Sequence, residues 1–111
     1  MKVEVRVTNE FKRNAKWLIK KYPSLKNQLN ELESDLFHNP RMGTRIFENV
    51  YKIRLGVKSK GKGKRGGLRI ITYVEVIEKD NFTFVFLIAI YDKSDIENIS
   101  DSEILERIKD L

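Results

Sequence analysis

Val3, Val5 and Val7 alternate with Lys2, Glu4, Arg6 and Thr8, the period-two pattern of a half-buried strand. From Asn9 the period lengthens. Phe11, Ala15, Leu18, Ile19 and Tyr22 recur three or four residues apart, which predicts a helix that Pro23 ends. Leu25, Leu29, Leu32 and Leu36 predict a second helix stopping at Asn39-Pro40. Two short amphipathic helices separated by a proline predict a helical hairpin, and stripes this narrow need a sheet or each other to bury against. The period then returns to two. Tyr51, Ile53, Leu55 and Val57 alternate with Lys52, Arg54, Gly56 and Lys58, and the glycine-rich residues 59–67 predict a loop. Residues 68–77 predict a β-branched strand, 78–81 a hairpin turn, and 82–91 a nearly continuous apolar strand of the kind buried on both faces. Ser100 and Glu103 have capping-box spacing ahead of Ile104, Leu105 and Ile108. The short helix they start cannot stand alone and must dock on the rest. The order is β-α-α-β-β-β-α: an α+β domain in which an N-terminal helical hairpin packs on one face of a small antiparallel sheet, with a short C-terminal helix.

Composition narrows the function more than the fold. At 111 residues the chain fits one domain, and 41% hydrophobic with 34% charged residues suits neither a disordered chain nor a membrane protein. No run of 18 apolar residues is present, and the N-terminus lacks the apolar stretch of a signal peptide. The absence of cysteine excludes disulfides, a thiolate metal site and a thiol nucleophile, and a cytoplasmic location is the expectation. Lysine and arginine outnumber aspartate and glutamate 22 to 16, for a net charge of +6. Between Tyr51 and Val74 lie Lys52, Arg54, Lys58, Lys60, Lys62, Lys64, Arg65 and Arg69 with no acidic residue among them, so the rest of the chain has a slight acidic excess. A concentration of this kind raises the local potential toward a polyanion, and nucleic acid is the expected partner.

Alternation divides these residues between the faces of the sheet. With Tyr51, Ile53, Leu55 and Val57 toward the helices, Lys52, Arg54 and Lys58 face away. In the next strand Leu68, Ile70, Val74 and Val76 suit the core, leaving Arg69, Ile71, Tyr73 and Glu75 opposite. In the last strand Phe84, Phe86, Ile88 and Ile90 suit the core, leaving Val85, Leu87, Ala89, Tyr91 and Lys93 outside. A sheet face mixing cations with tyrosines suits RNA, because the cations hold phosphates and the rings stack on bases. Lys58, Lys60, Lys62, Lys64 and Arg65 read as an electrostatic grip on RNA, with Tyr73 as a stacking residue. Flexible lysines spaced by glycines cannot hold a transition state in place. His38, beside Asn39-Pro40, is far along the chain from the cationic strands and reads as a surface or capping residue. Trp17 lies off the apolar stripe of the first helix and either packs under a loop or belongs to a partner's footprint. The acidic residues show no ligand spacing, so no metal or cofactor is expected.

The segments Tyr51-Lys52-Ile53-Arg54-Leu55, Gly66-Gly67-Leu68-Arg69-Ile70-Ile71-Thr72-Tyr73 and Tyr91-Asp92-Lys93-Ser94, in that order, resemble a toxin of the RelE/ParE superfamily. The loop at 59–67 and the Asn98-Ile99-Ser100-Asp101 start of the last helix resemble its RelE/HigB-type members. The resemblance covers nearly the whole chain and implies the architecture derived above. It also implies a type II toxin–antitoxin system, in which a cognate antitoxin silences a toxin that cleaves mRNA in the ribosomal A site. ParE-like relatives share the fold and act on DNA gyrase instead, and a non-catalytic RNA- or ribosome-binding protein is the third class to weigh. By position, Lys52 and Arg54 match the family's basic residues on the second strand of this pattern and Arg69 the arginine of the third. Lys93 falls where RelE-type enzymes often place an arginine, and Tyr91 lies just before it. Ile99 stands where RelE has its late tyrosine.

Metal-independent RNA cleavage needs the 2′-hydroxyl deprotonated, the phosphorane charge stabilised and the 5′-oxygen protonated. Arg54, Arg69 and Lys93 suit the second task, arginine because its fork holds two phosphate oxygens. Lys52 or Tyr91 would exchange the protons. An unperturbed lysine is neutral only about once in 2500 at pH 7, and crowding by other cations would raise that share. The alternative is an enzyme that mainly orients the message while the ribosome completes the geometry.

Overall fold

The computed structural model describes residues 2–61, 63 and 66–111. The chain forms β1 (Lys2–Val7), α1 (Asn9–Lys21), α2 (Leu25–His38), β2 (Thr44–Phe47), β3 (Val50–Leu55), β4 (Leu68–Ile77), β5 (Phe82–Asp92) and α3 (Asp101–Lys109). The strands lie in one sheet in the order β1-β5-β4-β3-β2. The α+β architecture and the helical hairpin match the sequence pattern, with two differences. The sheet is antiparallel except at one edge, where β1 runs parallel to β5 from Lys2 opposite Phe82 to Val7 opposite Leu87. The helical hairpin carries the chain from β1 across the sheet to β2 at the far edge, and the three following strands return it to β5. At the other edge the four-residue β2, too short to show alternation, pairs with β3.

The two helical stripes bury as their spacing dictates. Phe11 and Ala15 of α1, with Leu25, Leu32 and Leu36 of α2, pack against Ile53, Leu68, Ile70, Val85, Leu87 and Ile90. Thr8 caps α1 by accepting from the Phe11 amide at 3.1 Å. On the opposite face Ile104 of α3, with Ile99 and Ile108, covers Val50, Ile71, Ile88, Ala89 and Tyr91. Ser100 caps α3 through the Glu103 amide at 3.2 Å, while the Glu103 carboxylate turns to Arg107 instead of closing the capping box.

The inside/outside assignment of β5 needs correction, and a β-bulge is the reason. Ile71 pairs with Ala89 and Thr72 with Leu87, so Ile88 has no partner in β4. One extra residue reverses the alternation. Beyond it Ile90 faces the hairpin while Ala89 and Tyr91 face away, as the pattern predicts. Before it Val85 and Leu87 face the hairpin, whereas Phe86 and Ile88 face α3. Arg107 donates to the Ile88 carbonyl at 3.0 Å and reaches Glu10 of α1 at 3.1 Å, so one guanidinium pins α3 to the bulge and to the first helix.

Arg107→Ala is therefore expected to cost about 1–3 kcal/mol, the range for leaving a buried carbonyl without its charged donor. It should also loosen α3, seen as faster amide exchange at residues 104–108 than in β4. Unchanged exchange there would show that Ile104 and Ile108 dock the helix unaided.

Candidate functional site

The register of the three inner strands builds one cross-strand row. Arg54 lies directly opposite Arg69, and Arg69 directly opposite Tyr91. Neighbouring strands are about 4.8 Å apart, so the three Cα atoms span roughly 10 Å. The next row on this face is Lys52, Ile71 and Ala89, whose two small or apolar members form its floor. Lys93 follows the end of β5 and is exposed. Two facing arginines on adjacent strands repel each other, and no hydrophobic gain requires them to share a row.

The electrostatics follow from this crowding. The Lys52 ammonium is held below the usual lysine range, first by burial and then by Arg54, Arg69 and Lys93, so each of the other three expected cations acts on Lys52. It donates to Asn98 Oδ1 at 2.7 Å. Arg69 is only 4% exposed. Burial first, and Arg54 second, lower its pKa, and its Nη1 donates to the Leu68 carbonyl at 3.2 Å. Tyr91 is equally buried, at 4%. Burial pushes its phenol up, against smaller opposing effects of the Ile99 main chain, Arg69 and Arg54. The hydroxyl lies near that main chain but has no partner in hydrogen-bond geometry among the described residues. Tyr91 is thus placed on the expected face yet is not open to solvent, because residues 98–99 and α3 cover it.

The basic loop differs more. Lys60 is not a free surface cation. Its ammonium forms an ion pair with Asp92, and the side chains are 6% and 2% exposed. The same carboxylate accepts from the Tyr22 hydroxyl at 2.7 Å and from the Ser94 amide and hydroxyl at 2.9 and 2.8 Å. Burial pushes the Asp92 carboxyl up, but the bonds from Lys60, Ser94 and Tyr22 outweigh it and hold it far below the usual carboxylate range. Lys58 is exposed on the 3₁₀ turn Lys58–Lys60. Lys62, Lys64 and Arg65 lie outside the described residues. Tyr73 does not join the row: it is half-buried, stacked on Phe86 at 6.2 Å, and lies four residues along β4 from Arg69, about 13 Å away at strand rise. His38 is at the end of α2, exposed, with Nδ1 3.1 Å from the Ser34 carbonyl oxygen. Among the described residues no group of three or more histidine, aspartate or glutamate side chains could hold a metal ion, and no helix is long and apolar enough to cross a membrane. Sequence reasoning gave Asp92 and Asn98 no role. The signal for Asp92 was present, as a lone acid closing an apolar strand.

No family model matches the sequence. The structure is similar to that of the E. coli toxin RelE, solved in the free state as a double arginine-to-alanine mutant. The TM-score is 0.55, over 97% of this chain and 99% of that one, at 22% sequence identity. The chain has the RelE fold. The Arg54–Arg69–Tyr91 row lies on the face opposite the helical hairpin, and α3 packs over the Tyr91 end of that row.

Asp92 links this site to stability, and the direction follows from its lowered pKa. Its contribution is fully present above the unfolded value of about 3.9 and is lost as pH falls from there toward the folded value. Urea unfolding between pH 7 and pH 2 should show this acid loss, and Asp92→Asn should flatten it. At pH 7 that variant should be less stable by about 3–5 kcal/mol, because Lys60 stays buried without its partner. Asp92→Asn combined with Lys60→Met should regain much of the difference; a double variant as unstable as Asp92→Asn would rule out the ion pair as the cause.

Proposed function

We propose that the chain is the toxin of a type II toxin–antitoxin pair, a metal-independent endoribonuclease that cleaves message on the translating ribosome. One observation carries the reading: on a RelE fold, Arg54 and Arg69 share a row with Tyr91, and Lys52 lies in the next row on the same face with Lys93 near it, a concentration of positive charge suited to an anion. A sugar–phosphate backbone is such an anion, and exposed Lys58 extends the potential toward the loop.

In this reading Lys52 and Tyr91 divide the two proton transfers. Lys52, lowered by burial and by three cations, has an increased neutral share near pH 7 and takes the 2′-proton. The 2′-oxygen bonds phosphorus, and charge gathers on oxygens held by Arg54, Arg69 and Lys93. As the P–O5′ bond breaks, the leaving oxygen needs a proton, leaving a 2′,3′-cyclic phosphate and a 5′-hydroxyl. Tyr91, protonated near neutral pH like any phenol, shares the row with Arg69 and supplies that proton. The cognate antitoxin would silence the enzyme by laying an acidic segment over the same cations. The fold is also compatible with a protein that poisons DNA gyrase, but a row of clustered cations beside a proton-bearing phenol is equipment for phosphodiester cleavage.

In a translating extract with message 5′ ends mapped, the wild type should cut translated message and leave naked RNA nearly intact. Arg69→Ala should cut about 10²–10³-fold more slowly, with its far-UV spectrum unchanged; full activity in that variant would remove Arg69 from the mechanism. The wild-type rate should rise with pH until Lys52 is neutral, since a general base acts deprotonated. Lys52→Arg, which keeps the charge, should lose both rate and rise. A parallel rise in that variant would exclude Lys52 as the base.

A further inference from the structure

A second charged surface lies on α1, away from the sheet. This helix carries Lys12, Arg13, Lys16, Lys20 and Lys21 against one acid, Glu10, which is already paired with Arg107 at 3.1 Å. Arg13, Lys16, Trp17 and Lys20 follow helical spacing and fall within about 100° of arc, opposite the buried Phe11 and Ala15. All four are exposed, and none of the three cations forms an ion pair among the described residues. Trp17 is 73% exposed, a large loss for a side chain that usually buries most of its ring. Beside it a groove of about 520 Å³ opens between Trp17, Leu18, Lys20, Lys21 and Asp95.

We infer that the outer face of α1 is a second RNA-binding surface, on which Trp17 stacks against an unpaired base while Arg13, Lys16 and Lys20 hold the flanking phosphates. The inference rests on the reading of the chain as a ribosome-directed nuclease, and ribosomal RNA is the occupant it names. The neighbours of the ring decide between RNA and protein. A tryptophan that anchors a protein partner sits within a desolvated, mainly apolar patch. Arg13, Lys20 and Lys21, three and four residues away and about 5–6 Å from Trp17, put phosphate ligands beside its exposed ring, while Leu18 and Asp95 line the groove next to it. Base stacking on an exposed ring flanked by cations is the usual mode for unpaired RNA. The molecule then divides its work. The sheet face performs chemistry on message, and the α1 face holds the ribosome in the orientation that presents it.

Trp17 is the only tryptophan in the chain, so its emission reports on this face alone. Titrating the wild-type protein with protein-free ribosomal RNA, which has no tryptophan, should quench that emission, and a single-stranded oligoadenylate should do so more weakly. Trp17→Ala should bind ribosomes about 5- to 100-fold more weakly by sedimentation. Lys16→Gln with Lys20→Gln should lower the slope of log affinity against log salt by about 1.4. Melting temperatures should stay at the wild-type value. Emission unchanged at saturating ribosomal RNA, or Trp17→Ala binding ribosomes as tightly as wild type, would overturn the inference. Trp17→Ala that releases a co-purified antitoxin and still binds ribosomes as tightly as wild type would overturn it too and assign the face to protein. Arg69→Ala separates the two readings: it should lose cleavage and keep the quench. Quenching by a wild-type protein that cuts no message would sink the nuclease and leave this surface standing.

Discussion

β5 is hydrogen-bonded along both edges and covered on both faces, and the arrangement of the molecule depends on that. Its neighbours are β1 and β4; the helical hairpin lies over one face and α3 over the other. A strand enclosed on four sides has little freedom to slide, so the register it imposes on β4, and through β4 on β3, is fixed. That register sets Tyr91 opposite Arg69 and Arg69 opposite Arg54. The bulge at Ile88 belongs to the same constraint. By reversing the alternation within β5, it lets the strand give Val85 and Leu87 to one core and Ile88, Ala89 and Tyr91 to the other.

The end of β5 carries opposite electrostatic solutions side by side. Asp92 and Lys60 neutralise each other out of water, with Tyr22 and Ser94 satisfying the remaining oxygen lone pairs, so the pair is structural. One residue earlier and one later, Tyr91 and Lys93 belong to a site where cations face cations. The first arrangement anchors the start of the basic loop; the second concentrates positive charge on one face of the sheet.

How much of this could be read along the chain depended on whether a strand has a polar side. β3 and the first part of β4 do, so alternation put Lys52, Arg54 and Arg69 on one face, with Ile71 as floor. β5 does not. Apolar on both faces, it offers no polar position to fix its phase, and the bulge changes phase without a marker residue, so Phe86 and Ile88 were assigned to the wrong side. The parallel pairing of β1 links residues some eighty positions apart and left no local trace. Lys60 looked solvated among glycines because its partner is 32 residues away. Tyr91 looked open because nothing in the spacing shows that residues 98–99 fold back over it. The basic face of α1 was legible from helical periodicity, but summing charge along the chain hid it, since acidic residues elsewhere offset it.

The parallel edge also dictates an order of assembly. β1 emerges first during synthesis, yet its sheet partner is β5, so it has no strand to join until residues 82–87 exist. Tyr91, Lys93 and Asn98 come later still. The cationic row is therefore completed only after all five strands of the sheet have been made.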